Sequence, residues 1–164
     1  MQDPAVDERA NALAAFETLG RFLKEDGWHP QQLQTGNVYR MGFAGDGGST
    51  TCYAQVLLEL EILLIYVVAP VRVPEDKRQE VAEFITRANY GLRIGNFEMD
   101  FADGEVRFKS SLDFEGAVLE TSLIQNALYP AVRTMDRYLP GLLTLIYGSR
   151  PAAEIIGEIE SPPS

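Results

Sequence analysis

The residues best suited to chemistry lie in one stretch, RANYGLRIGNFEMDFADGEVRF, from Arg87 to Phe108. Arg87, Asn89, Asn96 and Arg107 are donors that would orient an anionic group if they lined one pocket. Gly91-Leu92-Arg93-Ile94-Gly95-Asn96 superficially resembles a phosphate-binding glycine loop. Such loops run from strand to helix, so that the helix N-terminus faces the phosphate. Here the pattern runs from helix to strand and presents the opposite end of the dipole. A local role competes with ligand contact: Gly91 ends a helix, Gly95 turns into a strand, and Asn89 and Asn96 bond the backbone around them. Polar residues at helix ends usually act locally, which favours the structural role for Arg87, Asn89 and Asn96.

Elsewhere the chemistry is sparse. His29 is the single histidine and Cys52 the single cysteine, too few ligands for a structural zinc site, and no Cys-His dyad has support in the sequence. Cys52 alternates with Ala54 and Val56 on the inward side of a strand, where a thiol packs as a small hydrophobe. Ser49-Thr50-Thr51 and Ser110-Ser111 lack the context of a nucleophile elbow. Asp46-Gly47-Gly48 lacks the ligand spacing and distal Glu of a calcium loop. The carboxylate pairs Glu59/Glu61 and Glu98/Asp100 have acid/base potential, but on one strand face such pairs more often keep that face wet. No catalytic residue, metal ligand or cofactor is assigned, and the chain is not expected to be an enzyme.

The 24 acidic against 14 basic side chains give a formal charge of -10. That average surface repels phosphate backbones and anionic lipid, so neither nucleic acid nor membrane is an expected partner. Arg133 and Arg137, the nearest approach to a basic cluster, read as a solvated helix face. The most apolar segment, Val56 to Val71, is interrupted by Glu59 and Glu61 and falls short of the ~20 residues of a membrane-spanning helix. A lone cysteine and the N-terminal MQDPAVDERA, which lacks a basic then apolar leader pattern, fit a reducing cytoplasm.

The elements that must position these residues follow from periodicity. Leu13, Phe16, Leu19, Phe22 and Leu23 recur at helical spacing, predicting a helix from about Asp7 to Asp26 that stops at Gly27. Val38 to Phe43, the turn cluster Gly45-Asp46-Gly47-Gly48, and Thr50 to Leu58 predict a hairpin. Ile62 to Val71 is aliphatic or β-branched at almost every position, as in a central strand covered on both faces or shared with a partner. The turn before it, Glu59-Leu60-Glu61, lacks Gly or Asn. Pro74 opens a second helix with the stripe Val81, Phe84, Ile85 and Ala88. A two-residue Asp103-Gly104 loop would then set Phe101 against Val106, Asp100 against Arg107, Met99 against Phe108 and Glu98 against Lys109. Thr121 caps a helix over Leu123 to Tyr138 that Pro130 kinks or breaks, Leu139-Pro140-Gly141 interrupts it again, and Leu142 to Tyr147 and Pro151 to Glu160 form short terminal helices, an arrangement that suggests a clamp or swapped arm.

Together these give an α+β fold of order α-β-β-β-α-β-β-α(α), a two-layer antiparallel sheet of about five strands with helices packed on it. Residues 8–160 read as one domain, with 1–7 and 161–164 as flexible ends.

The run VRVPEDKRQEVAEFITRANYGLRIGNFEMDFADGEVRFKSSLDF, Val71 to Phe114, resembles the centre of the YbjN-like bacterial proteins: a proline-started helix, Arg-Ala-Asn-Tyr-Gly, Gly-Asn-Phe-Glu, an Asp-Gly hairpin and a basic strand. Met135-Asp136-Arg137-Tyr138-Leu139-Pro140 and the helix from Pro151 extend the similarity over most of Phe16 to Glu160. The resemblance implies a sensory-transduction regulator with a type III secretion chaperone-like fold, a unit that commonly dimerises. It supplies no catalytic residues. The expected function is therefore a small cytoplasmic binding or regulatory module, a homodimer with a protein or peptide partner. A small anionic-ligand binder or enzyme with its pocket near Arg87, Asn89 and Asn96 is the alternative.

Overall fold

The structure, a computed structural model, describes residues 4–163. Its element order is α1 (Pro4–Glu25), β1 (Gln31–Gln32), β2 (Val38–Gly45), β3 (Gly48–Leu57), β4 (Ile62–Arg72), α2 (Arg78–Asn89), β5 (Asn96–Met99), β6 (Glu105–Asp113), α3 (Thr121–Tyr147) and α4 (Ala152–Glu160). One antiparallel sheet holds all six strands in the order β1-β2-β3-β4-β6-β5. The strand absent from the sequence reading is β1, whose two exposed glutamines carry no periodic signal. α1 begins at Pro4, ahead of position 8; residues 1–3 and 164 of the expected flexible ends lie outside the described residues.

Alternation sorts the strands into two faces. Register aligns Met41, Cys52, Val67, Phe108 and Phe97 in one row and Tyr39, Ala54, Ile65 and Ser110 in the next. All are buried and form the floor of the core. α3 supplies most of the cover, with Ile124, Leu128, Met135, Leu139 and Leu142 inaccessible or nearly so. α1 adds Ala12, Ala15, Phe16, Leu19, Phe22 and Leu23. Leu13, expected on that stripe, is 45% exposed, because the buried face is centred one position away on Ala12.

Three expectations need correction. α3 is one continuous helix through Pro130 and Pro140. Each proline withholds an N–H from the carbonyl four residues earlier, at a local cost of about 3 kcal/mol. An apolar stripe running from Ile124 to Ile146 offsets that cost, since every turn buries a side chain against the sheet or α4. The β2–β3 turn is fitted to the second proline. Gly47 N–H donates to Asp136 Oδ1 (2.7 Å), and a Cβ on Gly47 would stand 2.1 Å from the Asp136 carbonyl that Pro140 leaves without its helical donor. A continuous helix leaves no clamp or swapped arm at the prolines.

The β5–β6 pairing is displaced by two residues: Glu98 faces Arg107, Met99 faces Val106 and Phe97 faces Phe108. Asp100 to Gly104 form a longer loop, closed by Asp100 N–H to Glu105 C=O (2.9 Å) and Gly104 N–H to Asp100 C=O (2.8 Å). Arg78 donates to the Phe101 carbonyl and Val73 to that of Gly104, tying the loop to the start of α2. An even displacement keeps every side chain on its expected face. Phe101 leaves the strand, half exposed.

Glu59 and Glu61 do not share a strand face. They sit in the β3–β4 turn, where Glu61 takes positive φ (49°), is only 5% exposed, and accepts from Asn11 Nδ2 at 2.6 Å.

Candidate functional site

Among the described residues, no helix packs on the second face of the sheet. Three rows cross it: Val38, Gln55, Leu64 and Ser111; Arg40, Tyr53, Tyr66, Lys109 and Asn96; Gly42, Thr51, Val68, Arg107 and Glu98. A solvated antiparallel face is normally polar. Along β4, however, the outward residues are Ile62, Leu64, Tyr66 and Val68, all half-buried only by their neighbours. A shallow groove of about 600 Å³ runs across this surface, with Tyr53, Gln55, Tyr66 and Val68 as its floor. Leu33 to Val38 form one wall, and Arg72, Glu105 and Arg107 the other.

The charged wall is organised by Glu98. It accepts from Arg107 Nε at 2.6 Å and Lys109 Nζ at 3.0 Å, and the Arg107 guanidinium lies 3.9 Å above the centre of the Tyr66 ring. Burial alone would raise the Glu98 pKa; the hydrogen bonds from Lys109 and Arg107 outweigh it and hold the carboxyl below its ordinary range. Arg72 pairs with Asp103 and, at 3.0 Å, with Glu105. The result is an apolar aromatic strip beside a fixed lattice of alternating charge.

Of the four donors singled out in the sequence, Arg107 lines this groove. Arg87 lies on the outer side of α2, its Nε 2.8 Å from Glu83 Oε1. Asn89 and Asn96 meet at Phe97. Asn89 Nδ2 donates to the Phe97 carbonyl (3.0 Å), Asn89 Oδ1 accepts from the Phe97 N–H (2.7 Å), and Asn96 Nδ2 reaches the same carbonyl at 3.2 Å. β5 is an edge strand, so Asn89 satisfies the outward main-chain groups that another strand would otherwise pair. Gly91 and Gly95 both adopt positive φ, ending α2 and entering β5. Cys52 is inaccessible, and burial pushes its thiol pKa up to about 12.

Sequence reasoning did not single out Tyr53, Leu64, Tyr66 or Val68. Their signal was present in Ile62 to Val71, a strand too apolar on both faces for one of them to be left in water. Assigning the uncovered face required knowing on which side the helices lie.

The element order and the helix-backed antiparallel sheet are those of an α+β protein of type III secretion chaperone-like fold. The chain belongs to the YbjN family, described as "Putative bacterial sensory transduction regulator", whose pattern matches residues 15–144. Among solved structures it is similar to YbjN of E. coli, described as "a putative transcription regulator", at 9% identity over 79% of this chain and 91% of that one, with TM-score 0.59. A chain of the ExsC–ExsE complex matches at 15% identity over 84% of this chain and 98% of that one, with TM-score 0.56. At such identities the likeness is one of fold. No curated protein sequence matches the chain. Among the described residues, no helix is long and apolar enough to cross a membrane.

Proposed function

We propose that this chain is a cytoplasmic, non-catalytic regulatory module that acts as a homodimer and holds a polypeptide segment of a partner protein on the open face of its sheet. The observation that carries this reading is the outward row of β4, Ile62, Leu64, Tyr66 and Val68, apolar on a face that no element among the described residues covers. The Tyr53 and Tyr66 rings supply rigid contact area at small entropic cost, and the charge lattice around Glu98 gives a polar rim. Support also comes from the fold shared with a chain of a two-protein complex, and from the regulator description of the family. A buried, un-ionised Cys52 suits a reducing compartment.

A random-peptide display selection run in parallel on the wild type and on a Leu64→Thr/Tyr66→Thr variant tests the reading. Enrichment on the wild type that disappears on the folded variant is expected. Equal recovery on both would remove the open face as the binding surface.

A further inference from the structure

The two prolines of α3 each leave a carbonyl without its helical donor, and the two carbonyls are treated differently. The one at Asp136, four residues before Pro140, is closed over by the β2–β3 turn, where a Cβ on Gly47 would stand 2.1 Å from it. The one at Asn126, four residues before Pro130, has no such cover. Asn126 is exposed, and among the described residues no side chain donates to its carbonyl. Asn126 and Pro130 instead line a cleft of about 550 Å³, together with Gln125, Tyr129, Arg133 and Ile94.

The walls of this cleft are held from behind. Tyr129 OH donates to Asp26 Oδ2 at 2.5 Å, and the Trp28 ring packs 6.2 Å from that of Tyr129. The Arg133 guanidinium lies over the Tyr129 ring, 5.3 Å from its centre. Ile94, 49% exposed, belongs to the loop between α2 and β5, which Gly95 pins so closely that a Cβ there would stand 2.5 Å from the Lys109 carbonyl. The sequence places an anion site beside this same loop, at Asn89 and Asn96. Those two are bonded to Phe97, and the polar lining comes from α3. Among the described residues, Gln125, Asn126 and Arg133 enter no ion pair and no side-chain hydrogen bond.

Of the six lining residues only Arg133 is charged, in a chain of net charge -10. Helical side chains lean toward the N-terminus, so the guanidinium over Tyr129 and the bare Asn126 carbonyl stand about one helical turn apart, ~5 Å along the axis. One small molecule can reach both. A planar carboxylate matches the guanidinium, an N–H donor satisfies the carbonyl, and Ile94, Pro130 and the Tyr129 ring offer an apolar wall. The smallest unit that supplies all three is an apolar α-amino acid with a free carboxylate. We infer that the cleft binds such a unit, free or at the end of an acyl or peptide chain. Its carboxylate sits on Arg133, its N–H on the Asn126 carbonyl and its side chain against Ile94 and Pro130. The site lies on the outward side of α3, away from the open face of the sheet, and goes beyond the partner binding proposed for that face.

Chemical-shift titrations of the isotope-labelled chain, read at the Gln125 and Asn126 amides, test it with L-leucine, N-acetyl-L-leucine, N-acetyl-L-leucinamide and isocaproate. Saturable shifts are expected with L-leucine or N-acetyl-L-leucine, and the tighter of the two names a free amino acid or an acylated terminus as the source. The leucinamide, which lacks the carboxylate, should not saturate. Arg133→Met should weaken binding about tenfold. Pro130→Ala restores the helical donor of the Asn126 carbonyl, so it should raise the unfolding midpoint while weakening the leucine ligands about fivefold. Isocaproate, with the carboxylate and branched chain but no N–H, should be nearly indifferent to Pro130→Ala. No saturable shift with either leucine ligand at millimolar concentration, or binding unchanged by Arg133→Met, overturns the site. Equal weakening of isocaproate and the leucine ligands by Pro130→Ala overturns the part given to the bare carbonyl.

Discussion

β4 presents almost the same chemistry to its two sides. Leu63, Ile65, Val67 and Ala69 point one way and Ile62, Leu64, Tyr66 and Val68 the other, yet the first set is buried under α3 while the second is only half-buried. Hydrophobicity alone therefore does not separate scaffold from surface in this chain; cover does. Each buried member contributes about 1.5–3 kcal/mol to folding for a Val- or Leu-sized side chain. The outward set, left partly in water, contributes less to folding.

The contrast can be broken most severely on the covered side. Phe108 is inaccessible, edge-on to Phe97 at 5.0 Å, and Phe108→Ala is expected to cost about 3–5 kcal/mol in urea unfolding, by lost transfer energy and the cavity left behind. A loss under 1 kcal/mol would mean that the two faces are not energetically distinct. Next in size, Asn89→Ala strips the Phe97 N–H and C=O of their partners and should cost about 1–3 kcal/mol. Asn89→Asp retains the acceptor and should recover part of the loss; no difference between the two substitutions would rule out that bonding role.

A smaller effect belongs to Glu98. Because its native pKa is depressed, its contribution is complete above the ordinary carboxylate range and disappears as pH falls through the lowered native value. Acid unfolding followed from pH 7 downward should show a shallower loss in Glu98→Gln, by less than about 1 kcal/mol for this partly exposed lattice. Leu64→Thr should change stability least, within about 0.5 kcal/mol, while weakening any peptide recovered on the open face. Together with Phe108→Ala it gives one large-stability variant and one binding variant on neighbouring strands.

Much of this arrangement can be read directly from residue patterns. The period-two runs of β2, β3 and β6 fix their faces, and the Val81, Phe84, Ile85 and Ala88 stripe defines α2. Local rules fail where distant contacts decide. The prolines of α3 are tolerated because of what the helix packs on, and the β5–β6 register slips by two because Arg78 and Val73 hold the loop. Glu61 is buried because Asn11, far away in sequence, supplies its donor. The open face was half visible: an apolar run suited to cover on both sides signals a missing cover, but not which residues lack it. Asn89 was visible as a local bonding residue, while its service to a strand edge needed the sheet order.

The order of elements along the chain has a consequence for synthesis. All six strands, residues 31–113, precede α3, which supplies most of the cover over β4 and β6. Translation adds about 5–20 residues per second, so for a few seconds the nascent sheet has two greasy sides with only the N-terminal helix and α2 to shield one of them. Only as Thr121 to Tyr147 emerge do the sides acquire different fates, one sealed and one left open. A chain released before that point would have no inside, and a chaperone that binds exposed strands would find both of its sides open.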